Sequence, residues 1–156
     1  MLKKTAALGA ATLLCWALGT AQASATSSYR HLRNVGDVGE CLDFRADYGP
    51  YTTGCNGGAY QTWTMATLPE TATALRQNAG DRLCLVARSG QPTMKPCLAG
   101  DQAALWTVHD LGPSSTGYEI INKATGTCLV AGSGAIHHVS LGACTGGGSR
   151  QWIVYS

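Results

Sequence analysis

Residues 84–90 read Cys-Leu-Val-Ala-Arg-Ser-Gly, and residues 128–134 read Cys-Leu-Val-Ala-Gly-Ser-Gly. Six of the seven letters agree, and 44 residues separate the two cysteines. Upstream by 43 residues stands a diverged counterpart, Cys-Leu-Asp-Phe-Arg-Ala-Asp-Tyr-Gly, at 41–49. Each of these cysteines has a second one downstream, Cys55, Cys97 and Cys144, at gaps of 14, 13 and 16 residues. Trp63, Trp106 and Trp152 keep the same beat, as do Asn34, Asn78 and Asn122 at intervals of 44. A period in the forties marks a repeat architecture, in which each unit needs its neighbours to bury its apolar face.

The units share one internal grammar. A strand (Tyr29–Asn34, Thr73–Gln77, Tyr118–Asn122) runs into a turn, a second strand carries Cys-Leu, and a Gly-rich bend leads to a third. Polar residues then precede a strand that opens with tryptophan. Short strands between Gly-rich turns predict an all-β fold. Three such units can close around a threefold axis with one Trp each at the centre, where an indole offers large buried area and an N–H seeking an acceptor.

Met1–Lys4 is positively charged and Thr5–Leu18 is apolar, followed by the small-x-small triplets Ala21–Ala23 and Ala23–Ala25. This is the pattern of a signal peptide at 1–25, of bacterial style, cut after Ala23 or Ala25. The expected location is secreted and extracellular, or periplasmic in a Gram-negative source. Cys15 would leave with the leader, and the six remaining cysteines predict three disulfides in an oxidising compartment. Six cysteines allow fifteen pairings; the most economical joins Cys41–Cys55, Cys84–Cys97 and Cys128–Cys144, one bridge per unit.

Of the 156 residues only 13% are charged, against about 25% in an average soluble protein. The formal charge of +2 rests on Lys3 and Lys4; without them nine basic residues face nine acidic ones. The rest are scattered, which argues against nucleic acid as a partner, since phosphate binding needs clustered cations. No apolar run reaches the length of a membrane span.

In Cys41-Leu42-Asp43, Cys55-Asn56-Gly57-Gly58 and Gln61-Thr62-Trp63, together with the repeated Cys-Leu and Trp, the chain resembles the ricin B-type β-trefoil lectin family over about Tyr29 to Ser156. The resemblance implies a β-trefoil lectin domain at 26–156, with repeats at about 29–70, 71–113 and 114–156. It implies a non-catalytic, monomeric carbohydrate binder without cofactors. The end of the chain soon after the third Trp strand reads as a free-standing domain.

In that family the sugar-binding carboxylate stands two residues after the first cysteine, which is Asp43 here; Val86 and Val130 fill the other two slots. The Gln of the Q-x-W signature survives only as Gln61, with Ala104 and Arg150 at the other positions. Repeat one is therefore the expected sugar site. A carboxylate accepts strong bonds from sugar hydroxyls, an amide orients it, and an aromatic ring covers the sugar's C–H face. The expected residues are Asp43, Tyr51, Asn56, Tyr60 and Gln61, supported by a concentration of tyrosines (29, 48, 51, 60) in this repeat. Tyr60 stands where the family usually carries Asn.

Competing readings make Asp43 a turn residue and leave a β-trefoil with decayed sugar sites that binds a protein partner. Glu40 and Asp47 flank Asp43 but are not expected to face each other across a glycosidic bond. His137 and His138, as neighbours, point apart on an extended chain, so they read as exposed loop residues and no metal is expected.

Overall fold

The computed structural model describes residues 27–66, 69–133 and 136–156. The expected leader and its Cys15 lie outside them. The described chain is all-β, with 3-10 turns as its only helical pieces. Repeat one holds β1 (Ser27–Asn34), β2 (Glu40–Arg45), β3 (Gly49–Gly54) and β4 (Trp63–Ala66). Repeat two holds β5 (Ala72–Ala74), β6 (Arg76–Gln77), β7 (Cys84–Arg88), β8 (Gln91–Lys95) and β9 (Leu105–Asp110). Repeat three holds β10 (Tyr118–Asn122), β11 (Cys128–Val130), β12 (His137–His138), β13 (Ser140–Gly142) and β14 (Gln151–Tyr155).

The first and last strands of the repeats form a closed ring. β1 pairs with both β4 and β14, β10 with both β9 and β14, while β5 pairs with β9 and β6 with β4. Closure removes the unpaired edges that an open sheet would expose. A hairpin leaves the ring in each repeat through one equivalent residue pair: Arg33 with Cys41, Arg76 with Cys84, Ile121 with Cys128.

The tryptophans lie inside this ring, fully buried. Each indole Nε1 donates to the carbonyl of the leucine that follows the first cysteine of its own repeat: Trp63 to Leu42 (3.1 Å), Trp106 to Leu85 (2.8 Å) and Trp152 to Leu129 (3.0 Å). These bonds tie each hairpin to the centre and satisfy the one polar atom of a large apolar side chain. Leu32, Leu42, Met65, Leu75, Leu85, Ile120 and Leu129 fill the same core. Bridges join Cys41–Cys55, Cys84–Cys97 and Cys128–Cys144, the pairing expected from the repeat. Each closes a loop worth about 3 kcal/mol in the chain-entropy view.

Two expectations change. The middle member of the asparagine series, in repeat two, is Gln77, not Asn78. Asn34 pairs with Trp152, Asn122 with Trp106, and Gln77 with Trp63. Asn34 and Asn122 donate to carbonyls ahead of those tryptophans (Ser149 and Gln151; Ala103 and Leu105), and Gln77 Nε2 donates to the Tyr60 carbonyl at 2.7 Å. The expected strand 73–77 is split at Leu75, whose side chain is fully buried, and the longer glutamine reaches from the resulting register. Second, a 3-10 turn precedes each Trp strand, at Ala59–Gln61, Gln102–Ala104 and Gly148–Arg150.

Candidate functional site

Asp43 stands on β2 opposite Tyr51 on β3. It is 5% exposed, yet it lines a groove of about 660 Å³, within the usual range for small-ligand sites. Its Oδ1 accepts from the Phe44 amide at 2.6 Å and its Oδ2 from Gln61 Nε2 at 3.0 Å. A carboxylate offers about four acceptor positions, so each oxygen keeps capacity for a hydroxyl. Asp43 thus makes a local backbone bond, as the turn reading holds, while its side chain also forms part of the groove wall.

Gln61 lies beneath the groove rather than on its surface. It is fully buried. Its Nε2 also donates to the Gly54 carbonyl (3.0 Å), and its Oε1 accepts from the Asn56 amide (2.9 Å). His31 Nδ1 donates to the Gln61 carbonyl at 3.0 Å, the only direction a carbonyl permits. Gln61 is therefore a positioning residue: it fixes Asp43 and locks the Cys55–Asn56 turn in one conformation. Asn56 Oδ1 accepts from the Gly58 amide at 2.8 Å, which leaves its amide nitrogen for the groove.

Tyr51 and Tyr60 line the groove; Tyr60 is 53% exposed. Tyr48 packs edge-on against Tyr51, with ring centroids 5.5 Å apart, and lies outside the groove lining. Tyr29 sits on β1 and also lies outside it. The tyrosine bias of repeat one thus splits into two groove residues, one buttress and one bystander. Burial, then the neighbouring Asp43 charge, raise the Tyr51 phenol above its ordinary pKa, so its hydroxyl stays a hydrogen-bond donor at neutral pH.

The groove has a second wall that sequence reasoning missed. Gln77, Ala79, Gly80, Asp81 and Leu83 of repeat two face the Asp43–Asp47 segment. Gln77 is the link between the walls, since its bond to the Tyr60 carbonyl crosses from one repeat to the other. The signal was the Asn/Gln position of each repeat, but counting residues placed it one position late.

Asp47 is held by Arg45 in a two-point pair (3.1 and 2.8 Å), and the guanidinium lies over the Tyr48 ring at 4.1 Å. Glu40 faces a different recess, beside His137. Glu40 and Asp43 are three apart on one strand and so point to opposite faces.

The family model described as ricin-type beta-trefoil lectin domain matches residues 28–152. The chain belongs to that family. Comparison with curated proteins finds no match. Among solved structures, the designed threefold-symmetric protein ThreeFoil is similar at a TM-score of 0.70 and 17% identity, covering 82% of this chain and 98% of its own. The C-half of the earthworm R-type lectin, solved in complex with GalNAc, is similar at a TM-score of 0.61 and 14% identity, covering 81% and 96%. The cytolethal distending toxin of Haemophilus ducreyi is similar at a TM-score of 0.64 and 16% identity, covering 80% and 80%. At these identities the likeness is one of fold: all three support a β-trefoil.

The other two repeats of this lectin domain differ from repeat one at the positions of Asp43 and Gln61, each in its own way. In repeat two Val86 is fully buried with Cys84, Ala103 and Ala104 in a satellite core, against which Ala74 packs. That corner has become apolar packing. In repeat three Arg150 takes over one bond of Gln61: its Nε donates to the Ala143 carbonyl at 2.8 Å, as Gln61 donates to Gly54. The turn support survives there, but Val130 supplies no acceptor. The hairpins differ too. Ser89 and Gly90 both take positive φ in a two-residue turn between β7 and β8, the preferred tight connection. Between β2 and β3 the chain runs through Ala46, Asp47 and Tyr48, which builds the taller wall.

Among the described residues no helix is long and apolar enough to cross a membrane. His137 and His138 form the short strand β12, paired with Thr52 and Tyr51 of β3, rather than the loop expected for them. His137 is half-buried and His138 exposed.

Proposed function

We propose that this chain is a secreted, non-catalytic carbohydrate-binding domain with one working sugar site, in repeat one. The observation that carries the reading is the Gln61-to-Asp43 hydrogen bond at the floor of the groove. A buried carboxylate held by an amide, with spare acceptor capacity and flanking tyrosines, is suited to two neighbouring sugar hydroxyls and a C–H face. Asp43 accepts the hydroxyl bonds, Tyr51 and Tyr60 supply ring faces, Asn56 offers an amide donor, and Gln61 positions Asp43. Membership of the lectin family supports the class of ligand. The leader-like residues 1–25 and three disulfides support export. A glycan array probed with the oxidised protein and with Asp43→Asn is the test. The reading expects a defined glycan set that the variant loses; binding to no glycan, or equal binding by both, would overturn it.

A second reading has one observation in its favour. Two of three repeats have replaced the acceptor by valine, and repeat two has filled the corner with core. A β-trefoil that binds a protein partner, as an accessory subunit or inhibitor, would need none of the three carboxylates. A silent glycan array together with a specific protein complex would favour it.

A further inference from the structure

We infer that the repeat-one groove selects its sugar by charge: it takes neutral or amine-bearing saccharides and rejects acidic ones, and Asp81 of repeat two sets that preference together with Asp43. The inference rests on the sugar-binding reading of the groove and names the class of sugar within it.

Four charged side chains line the groove: Asp43, Arg45, Asp47 and Asp81. Arg45 is the one cation among them. Its Nε and Nη2 both donate to Asp47, at 3.1 and 2.8 Å, and its guanidinium lies over the Tyr48 ring. That pair cancels itself, which leaves Asp43 and Asp81 without a cation. Asp43 is held by the Phe44 amide and by Gln61 Nε2, which orient the carboxylate without neutralising it. Asp81 is exposed on the turn between β6 and β7, and its side chain makes no hydrogen bond or ion pair among the described residues. Arg82, next in the chain, lies outside the lining.

The two uncompensated carboxylates come from the two walls of one recess. A space of about 660 Å³ spans roughly 9 Å, about one Debye length at physiological salt, so a sugar held there is incompletely screened from both. A cleft lined by one sign of charge concentrates the potential inside it. Asp43, at 5% exposure, is the less screened of the two. The Tyr51 phenol reports the same field: after burial, the Asp43 charge raises its pKa more than Arg45 lowers it. Sugar hydroxyls donate to these carboxylates, and an ammonium group does so with a charge of its own. A carboxylate, sulfate or phosphate on the sugar brings acceptors and like charge instead. Outside residues 1–25 basic and acidic residues are equal in number, so the negative field belongs to the groove and not to the chain as a whole.

The test prints matched neutral, sulfated, sialylated and amine-bearing forms of common glycan cores on an array. Oxidised wild type, Asp81→Asn and Asp37→Asn are applied at low and at physiological salt. Neutral and amine-bearing forms should exceed their acidic counterparts by at least about fivefold at low salt, and added sodium chloride should narrow the gap. Asp81→Asn should keep the neutral forms and narrow the gap by about twofold or more; exclusion of acidic groups by size alone would leave the gap unmoved. Asp37, exposed and outside the lining, supplies the control, and Asp37→Asn should behave as wild type. Equal binding of neutral and acidic forms, a gap untouched in folded Asp81→Asn, or a gap narrowed as much by Asp37→Asn would overturn charge selection while sugar binding itself stands. Binding to no glycan by the wild type would overturn both readings, and the loss of the neutral signal distinguishes that result from the others.

Discussion

Gln61 Nε2 donates to Asp43 Oδ2 at 3.0 Å, and the same nitrogen donates to the Gly54 carbonyl. One buried amide thus joins β2, the end of β3 and the 3-10 turn before Trp63. Gln61→Glu places a second carboxyl group against Asp43. Two such groups about 3 Å apart cannot both ionise. The variant should fold less stably at pH 7 than at pH 5, and its sugar affinity should change across that range. Chemical denaturation and calorimetry at both pH values would check this.

Removing the acceptor separates site from scaffold. Asp43→Ala should abolish measurable sugar binding while the protein remains folded by circular dichroism. Val130→Ala, the matching position in repeat three, should leave affinity unchanged. Because Val130 is half-buried, the substitution should cost no more than about 1 kcal/mol. Unfolding of Asp43→Ala would show that the carboxylate serves the β2–β3 hairpin before any ligand.

Stoichiometry is the third expectation. With one acceptor-bearing repeat, calorimetry with any recognised glycan should give one site per chain. No avidity arises from linked pockets, so the monomeric protein should not agglutinate cells. Clear agglutination would require a second site or an oligomer.

Gln77 links the walls of the groove. Gln77→Ala removes the donor to the Tyr60 carbonyl and should cost about 1–3 kcal/mol, the usual penalty for leaving a buried group unpaired. It should also lower sugar affinity, although Gln77 belongs to repeat two. An Asn78→Ala control should do neither. Thermal melts paired with affinity measurements would separate the two residues.

The Tyr51 phenol is held above its ordinary value of 10.0 by burial first and by the Asp43 charge second. Spectrophotometric titration should show the Tyr51 phenol ionising above its ordinary value, and Asp43→Asn should bring it down. The folded state binds this proton more tightly than the unfolded chain. Its stabilising contribution is therefore complete below pH 10 and is lost as pH rises through the folded value.

The repeat was legible because each unit needs the same few residues: a cystine, a leucine whose carbonyl meets an indole, and the indole itself. Asp43 and Gln61 were legible for the same reason, since they stand at fixed offsets from Cys41 and Trp63. Three features were not. Gln77 serves where its neighbour Asn78 preserves the spacing, because the break at Leu75 shifts the register of repeat two. The Asp81 wall comes from a different repeat, and no spacing rule spans two units. The pairing of β12 with β3 joins repeat three to repeat one, so no pattern within a single repeat announces it.

Asn34 lies on the first strand, yet the carbonyls its amide serves, Ser149 and Gln151, belong to the last repeat. β1 likewise waits for β14 to complete its pairing. A chain emerging from its amino end can fold the hairpins of repeats one and two locally, but it cannot close the ring until nearly every residue is available. Non-local pairing of this kind is slow. Until then β1 presents an unsatisfied edge to any neighbouring strand, so the interval before completion is when this protein is most exposed to misassembly. Under the export proposed above, arrival in an extended form with oxidation only afterwards would keep that interval short.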